Sequence, residues 1–190
     1  MKRIVSILFD DRYYIIPVNH INLIIIYYKQ LKLFKFMRSI DIFTDGSHIK
    51  GLNSSGRLGI GGVMVIDGRM VNQFSAEIDK DVIKKLYGTD DVSNPTMELY
   101  AVLRSLMEFK DDLSSDDIIN YYSDYKGVSE WLNDKWKVNK PYISKIKDNI
   151  LELARKNNLH IKYNWVKGHS GGTDYYSMWN DRADSLANPR

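Results

Sequence analysis

The chain of 190 residues contains no cysteine and only four prolines. Without cysteine it can form neither a disulfide scaffold nor a thiolate metal site, so any bound metal must use oxygen ligands or the four histidines. This composition is compatible with an intracellular reducing compartment such as the cytoplasm, the nucleus or a viral factory, where we expect the protein. The length suits one globular domain with a single sizeable core.

The first 36 residues lack glycine and are dense in Ile, Leu and Tyr. Their longest uncharged run, residues 13–28, is interrupted by Pro17 and falls short of the roughly 20 apolar residues that a spanning helix needs. Asp10 and Asp11 argue against a secretory signal. Three alternatives remain: a Lys-rich interfacial helix over 27–36, a poorly ordered extension, or a segment outside the working protein if synthesis starts at Met37. We therefore separate an N-terminal extension, residues 1–38, from a domain over residues 39–190.

The net charge of +3 is unevenly distributed. Residues 1–38 contain seven Lys or Arg and two Asp, which gives +5, so the remaining residues carry about −2 by subtraction. A nucleic acid would therefore have to bind the domain through local basic patches and bound cations.

The hydrophobic pattern from Ser39 onward predicts an α/β domain with a mixed sheet. Three strands come first, the third being MVNQFSAEI, and a helix over 94–110 follows them. A strand over 117–123, a helix through Val128 to Leu132, a helix over 143–156, a strand in HIKYNWV and a short closing helix over 180–187 complete the series.

Four carboxylates occupy the ends of these elements: Asp45, Glu98, Asp124 and Asp184. Sites in open α/β sheets gather at the carboxyl ends of strands, and clustered carboxylates need cations to remain ionised together. Each residue also has a simpler interpretation, because Asp45 suits a turn, Glu98 and Asp124 suit helix N-termini, and Asp184 competes with Asp181.

Five motifs, in order, resemble those of type 1 ribonuclease H: IFTDGS (42–47), TMELYAV (96–102), YYSDYKGV (121–128), WVKGHSGG (165–172) and NDRADSLA (180–187). The resemblance covers about 150 residues, from Ser39 to the C-terminus. It implies a ribonuclease H-like fold, with a mixed five-stranded sheet flanked by helices. It also implies an endoribonuclease that cuts the RNA strand of RNA/DNA hybrids.

By the same resemblance, Asp45, Glu98, Asp124 and Asp184 would be the metal ligands, with Asp184 preferred over Asp181. They would hold two Mg²⁺ ions, or Mn²⁺, about 4 Å apart. His169 matches a histidine that assists proton transfer or product departure. Expected substrate contacts are Asn94, Asn180 and Ser47, with Asn53 and Ser54 in an enlarged loop, and Lys135 and Lys137 in a Lys- and Trp-containing connection that is shorter than the basic region of some relatives.

Two other functions compete with this one. A junction resolvase or integrase-like nuclease would share the sheet and the acidic site, although the MELYAV and KGHS motifs argue against it. A catalytically silent nucleic-acid-binding domain should have lost at least one carboxylate, whereas all four motif positions carry one in this chain. We expect the chain to bind RNA/DNA hybrids as a monomer, without an obligate protein partner and without membrane association.

Overall fold

A computed structural model describes residues 4–9, 12–17, 38–49, 56–90, 92–168 and 171–188. The chain divides into two compact units, residues 1–37 and 38–190. In the first unit, β1 (Ile4–Phe9) and β2 (Arg12–Pro17) pair antiparallel, a hairpin that the sequence analysis did not predict. The interfacial helix considered for 27–36 lies outside the described residues.

The second unit contains five strands and five α-helices within the described residues. The strands are β3 (Ser39–Ile49), β4 (Arg57–Ile66), β5 (Arg69–Ile78), β6 (Ile118–Ser123) and β7 (Ile161–Trp165). The helices are α1 (Lys80–Tyr87), α2 (Asn94–Phe109), α3 (Lys126–Leu132), α4 (Pro141–Lys156) and α5 (Tyr175–Ala187).

The five strands form one sheet in the order β5-β4-β3-β6-β7. The pairs β5–β4 and β4–β3 are antiparallel, whereas β3–β6 and β6–β7 are parallel. The predicted α/β class and the mixed five-stranded sheet are therefore confirmed. No helix in the described part of the chain has the length and apolar character needed to cross a membrane.

Both faces of the sheet are covered by helices. Ile40 and Ile42 of β3 belong to the larger core, which also contains Leu99 of α2 and Ile146 of α4. Phe43, on the opposite face, belongs to a smaller cluster with Ala183 of α5. Side chains of β3 therefore alternate between two covered layers, and the strand buries residues on both of its faces.

Two glycines of β4 let α5 lie against the sheet. A Cβ at Gly59 would overlap the carbonyl of Ala187, and one at Gly61 would crowd the carbonyl of Ala183. Helix α5 is thus held close to β3 and β4 by backbone contacts that a larger side chain would prevent.

The helices differ from the sequence prediction at two places. Helix α1 was not predicted; it begins after Asp79, whose side chain accepts from the Asp81 amide, and it ends at Gly88 in the left-handed conformation. Helix α5 is longer than the predicted 180–187, because the Asp174 carboxylate accepts from the amides of Tyr176 and Ser177 and so starts the helix at Tyr175.

Candidate metal centre

Three of the predicted carboxylates meet at one edge of the sheet. Oxygen atoms of Asp45, Glu98 and Asp124 all lie within 4.8 Å of one another. Asp45 and Glu98 are buried, and Asp124 is half-buried. The cluster thus brings three carboxylates close together, with two of them removed from water, an arrangement that is unfavourable without a cation.

The parallel pairing of β3 with β6 brings Asp45 and Asp124 together. The last registered pair is Phe43 with Tyr122, and each aspartate lies two residues further along its chain. Side chains two residues apart share a face of a strand, so both carboxylates project to the same side. Asp45 itself lies inside β3 and not after the strand as predicted, because the pairing of β3 with β4 continues to Ile49.

Glu98 reaches the site from α2, in the second turn of the helix. The approach depends on Gly46, because a Cβ there would overlap the backbone of Met97 and Glu98. The absence of a side chain at this position lets the backbone of α2 contact β3 directly. Glu98 thereby enters the carboxylate cluster from the face opposite α5.

Burial, together with the charges of Asp45 and Asp124, raises the pKa of Glu98 well above its usual range. A hydrogen bond with Asp45 acts in the same direction, whereas the Ser123 hydroxyl, which donates to Glu98 Oε2 at 3.3 Å, lowers the pKa. The same hydroxyl accepts from the Tyr125 amide at 3.2 Å. Ser123 therefore links the backbone beyond β6 to the Glu98 carboxylate.

Asp124 is held by three neighbours from the last part of the chain. Its carbonyl accepts from the indole Nε1 of Trp165 at 2.9 Å, and its Oδ2 accepts from Nδ2 of Asn180 at 3.3 Å. Gly168 lies directly against the carboxylate, where a Cβ would overlap Oδ2. The orientation of Asp124 thus depends on β7, on the glycine after it and on α5.

Replacing Gly168 by alanine is expected to lower the nuclease activity that the sequence resemblance implies, without unfolding the chain. The new methyl group would displace the Asp124 carboxylate, which can rotate away from it, so the fold should survive while the cluster loses its geometry. We expect a fall in kcat/KM of about 10-fold or more, since shifts near 1 Å in a reacting group can cost about 100-fold. Cleavage assays and thermal unfolding would be measured together; a drop in Tm of more than about 8 °C would show that the effect is global.

Asp184 does not join the three carboxylates. It is half-buried on α5, and its Oδ1 accepts from the Asn188 side chain at 3.0 Å. Among the His, Asp and Glu side chains that the structure describes, the close cluster contains only Asp45, Glu98 and Asp124. The residue of α5 that touches Asp124 is Asn180, one helical turn before Asp184.

The other predicted site residues lie in varied surroundings. The Ser47 hydroxyl is buried and donates to the Ala187 carbonyl at 2.8 Å, so this hydrogen bond connects β3 with α5. Asn94 is exposed at the start of α2, and its Oδ1 accepts from the His48 amide at 3.1 Å. Lys135 and Lys137 are exposed. His169, Asn53 and Ser54 lie outside the described residues.

Sequence reasoning missed Ser123, Trp165 and Gly168 as parts of the site. All three lie inside motifs that were recognised, and two directly precede a predicted site residue: Ser123 before Asp124, and Gly168 before His169. That adjacency was the only available signal. Their contacts depend on tertiary packing, which periodicity does not report.

The carboxylate oxygens of the cluster suit a divalent cation. Carboxylate oxygens are ligands that hard cations prefer, and a cation would relieve the repulsion that raises the Glu98 pKa. The amide oxygen of Asn180, beside Asp124, is buried and accepts no hydrogen bond among the described residues. The acidic triad could therefore hold a metal ion.

Comparisons with known proteins identify the family of the chain. The RNase H family model matches residues 37–190. A ribonuclease H of Francisella tularensis subsp. novicida is 31% identical over 171 residues, covering 83% of this chain and 94% of that protein. A ribonuclease H of Ruthia magnifica is 35% identical over 163 residues, covering 80% of this chain and 94% of the relative.

Solved structures show the same fold. RNase H1 from Halobacterium salinarum matches with a TM-score of 0.59 at 21% identity, over 79% of this chain and 95% of that one. LC11-RNase H1, solved in complex with an RNA/DNA hybrid, matches with a TM-score of 0.59 at 21% identity, over 79% of this chain and 94% of that one. The predicted ribonuclease H-like fold is thereby confirmed, and the chain belongs to the ribonuclease H family.

Proposed function

We propose that this protein is an endoribonuclease that hydrolyses the RNA strand of RNA/DNA hybrids with two divalent cations, Mg²⁺ or Mn²⁺. The observation that carries the proposal is the meeting of Asp45, Glu98 and Asp124 within 4.8 Å at one edge of the sheet. Family membership indicates the reaction, and the ligand chemistry indicates the cations.

The protein's own residues would hold and orient this centre. Asp45 and Asp124 would bind cations from adjacent strands, while Glu98 would bind from α2 with its carboxylate oriented by Ser123. When bound, paired cations activate a water molecule and stabilise the leaving oxygen of a phosphodiester. Asp184 remains our candidate for a further ligand, and His169, which directly follows Gly168 in the chain, remains our candidate for moving a proton or releasing product.

A groove beside the site is suited to a nucleic-acid backbone. It has a volume of about 390 Å³, and its lining includes Pro95, Tyr125, Trp131, Lys137 and Tyr142. Pro95 and Tyr125 lie near Glu98 and Asp124 in sequence, so the groove adjoins the carboxylates. Aromatic and lysine side chains in one groove are typical of surfaces that follow a phosphate backbone.

Lysines of the connection between α3 and α4 and of the first turns of α4 have two kinds of surroundings. Lys145 donates to the Leu86 carbonyl at 2.7 Å, and Lys147 is paired with Asp134. Lys135 and Lys137 are exposed, as is Trp136. We propose that Lys135 and Lys137 contact phosphates, and that Asn94, at the start of α2, contacts the hybrid near the cut.

The test is cleavage of a labelled RNA/DNA hybrid by the full chain, with Mg²⁺, with Mn²⁺ and with EDTA. RNA/RNA, DNA/DNA and a four-way junction of matched sequence are the controls. We expect cutting of the hybrid's RNA strand alone, lost in EDTA and restored by added cation. Junction cutting would instead support a resolvase, and metal-dependent binding without cleavage of any substrate would support a silent binding domain.

A further inference from the structure

Helix α5 covers its face of the sheet over only part of the width. It packs mainly over β3, β4 and β5. On the same face, β6 and β7 present four residues that are not fully buried: Asn120, Tyr122, Lys162 and Asn164. Tyr176 of α5 lies beside them, with its ring centroid 5.3 Å from that of Tyr122. These five residues form a surface that we call the tyrosine patch.

Packing explains the tyrosine that precedes Tyr176 but not Tyr176 itself. Tyr175 is half-buried, lies against the smaller core cluster and donates to Asp41 Oδ2 at 2.8 Å. Tyr176 is 47% exposed. A large side chain with an apolar ring and a polar hydroxyl therefore remains about half open to solvent, as is typical of tyrosines in binding surfaces.

The rings of the tyrosine patch are held in place without a ligand. Phe43, which is fully buried, stacks on Tyr122 with ring centroids 4.8 Å apart and an interplanar angle of 16°. Tyr175 meets Tyr176 edge-on, with ring centroids 5.3 Å apart. Because rings packed in this way have little freedom left to lose, a flat ligand could stack on Tyr176 at a low cost in conformational entropy.

The tyrosine patch adjoins the carboxylate cluster along two elements. Tyr122 lies two residues before Asp124, about 6.6 Å away by the rise of a strand. Tyr176 lies four residues before Asn180, about 6 Å away by the rise of a helix, and Asn180 donates to Asp124 Oδ2. Stacked nucleotides of one strand advance about 3.4 Å each. A strand that lies at Asp124 could therefore place a base on the tyrosine patch about two nucleotides away.

The polar residues of the tyrosine patch suit a nucleotide. Lys162 is exposed and can bind a phosphate. Asn164 donates from Nδ2 to the carbonyls of Tyr121 and Lys162, both at 3.3 Å, so its amide oxygen can accept from the edge of a base. The five residues include no carboxylate, so the patch itself does not repel phosphate.

Resting on the proposed function, we infer that the tyrosine patch binds unpaired RNA that continues from the hybrid, with a base stacked on Tyr176 and a phosphate at Lys162. Under that function the strand at Asp124 is the RNA strand, so its continuation is what reaches the patch. Paired bases are covered by their neighbours in the stack, whereas an unpaired base has a free face for an aromatic side chain. The protein would therefore favour hybrids that border single-stranded RNA.

The experiment is cleavage of two hybrids in one mixture by the full chain in Mg²⁺. Both hybrids have the same paired sequence, but one has blunt ends and the other has an unpaired RNA tail of about six nucleotides, placed in turn at its 5′ and 3′ end. We expect a tail at one of the ends to raise kcat/KM by about 5-fold or more over the blunt hybrid, as stacking of a base on an aromatic ring provides. A tail of abasic nucleotides, which has phosphates but no bases, should raise it by at most about twofold.

Three variants of α5 test the role of the exposed ring. Tyr176→Ala should lower the ratio of tailed to blunt kcat/KM to about 1, whereas Tyr176→Phe should keep the wild-type ratio because the ring remains. Met178→Ala is the matched control, since Met178 is 48% exposed on the same helix and lies about 200° around it from Tyr176. Its ratio should equal that of the wild type. The use of a ratio removes any general loss of activity from the comparison.

A wild-type ratio of one for tails at both ends would overturn the inference and leave the proposed function standing. A preference that abasic tails share, that survives Tyr176→Ala, or that Tyr176→Phe or Met178→Ala also removes would overturn it as well. An equal preference for a tail on the DNA strand would contradict the assignment to RNA. A wild-type chain that cuts neither hybrid would overturn the proposed function together with the inference.

Discussion

Replacing Asp45 by asparagine is expected to reduce cleavage of an RNA/DNA hybrid by about 1000-fold or more, which corresponds to about 4 kcal/mol of transition-state stabilisation. Asp45 is buried between Glu98 and Asp124, and its carboxylate is the β3 contribution to the cluster. An amide has one oxygen ligand in place of two and no charge, so it would bind the cations poorly. The measurement is kcat/KM in saturating Mg²⁺.

Thermal unfolding distinguishes loss of chemistry from loss of structure. In EDTA the Asp45→Asn variant should be at least as stable as the wild type, because the substitution removes one of the charges that repel each other in the metal-free cluster. Added Mg²⁺ should raise the Tm of the wild type more than that of the variant, since a ligand stabilises only the state that binds it.

Asp41→Asn is the matched control on the same strand. Asp41 accepts from Asn120 and from the Tyr175 hydroxyl, and it lies outside the cluster. Its substitution should therefore leave the dependence of activity on Mg²⁺ concentration unchanged. Full activity of Asp45→Asn in Mg²⁺ would contradict the proposed function.

Replacing Gly46 by alanine is expected to remove both stability and activity. The added Cβ would overlap the backbone of Met97 and Glu98, and backbone atoms cannot rotate away as a side chain can. Helix α2 would have to move off β3, opening the core around buried Met97 and Leu99 and carrying Glu98 away from Asp45. Overpacking of this kind costs typically about 1–3 kcal/mol, and a backbone clash should reach the upper end.

Denaturant unfolding and hybrid cleavage would be measured on the same preparations. For a cost of about 3 kcal/mol we expect a clear fall in the unfolding midpoint, and a loss of activity that persists at temperatures where the variant remains folded. Gly68→Ala is the control, because a Cβ added there would meet no atom within 4 Å beyond its chain neighbours, and only the positive φ of 75° is strained. That substitution should cost about 1 kcal/mol and leave activity intact.

Much of the fold could be predicted, because strands β3 to β7 and the longer helices bury continuous or periodic apolar faces. Leu99, Leu103 and Leu106 define such a face on α2. Helix α1 was not predicted, because its eight residues bury only Ile83 and Tyr87. A pattern of two buried positions is too short to be distinguished from a loop.

The start of α5 was misplaced for a different reason. Tyr175 and Trp179 pack against the smaller core cluster, and Asp174 caps the helix through the amides of Tyr176 and Ser177. The predicted closing helix began only at residue 180, which left Tyr175 and Trp179 outside it. Aromatic residues near a Gly-rich segment suit either a loop or a helix, and only the packing of Tyr175 on Phe43 decides between them.

The amino-acid sequence alone determined the order of strands β3 to β7, the family motifs and the choice of Asp45, Glu98 and Asp124 as site residues, because sites in open α/β sheets gather at the carboxyl ends of strands. Only the tertiary structure decided that the missing side chain of Gly46 lets Glu98 approach the cluster and that Gly168 adjoins Asp124. It also decided that Asn180 donates to the Asp124 carboxylate, while Asp184 lies outside the cluster. The physical reason is that these contacts depend on how closely α2 and α5 approach the sheet and how each helix is rotated. Residue spacing places a side chain on a helix face, but the packing of whole elements determines which atoms it meets.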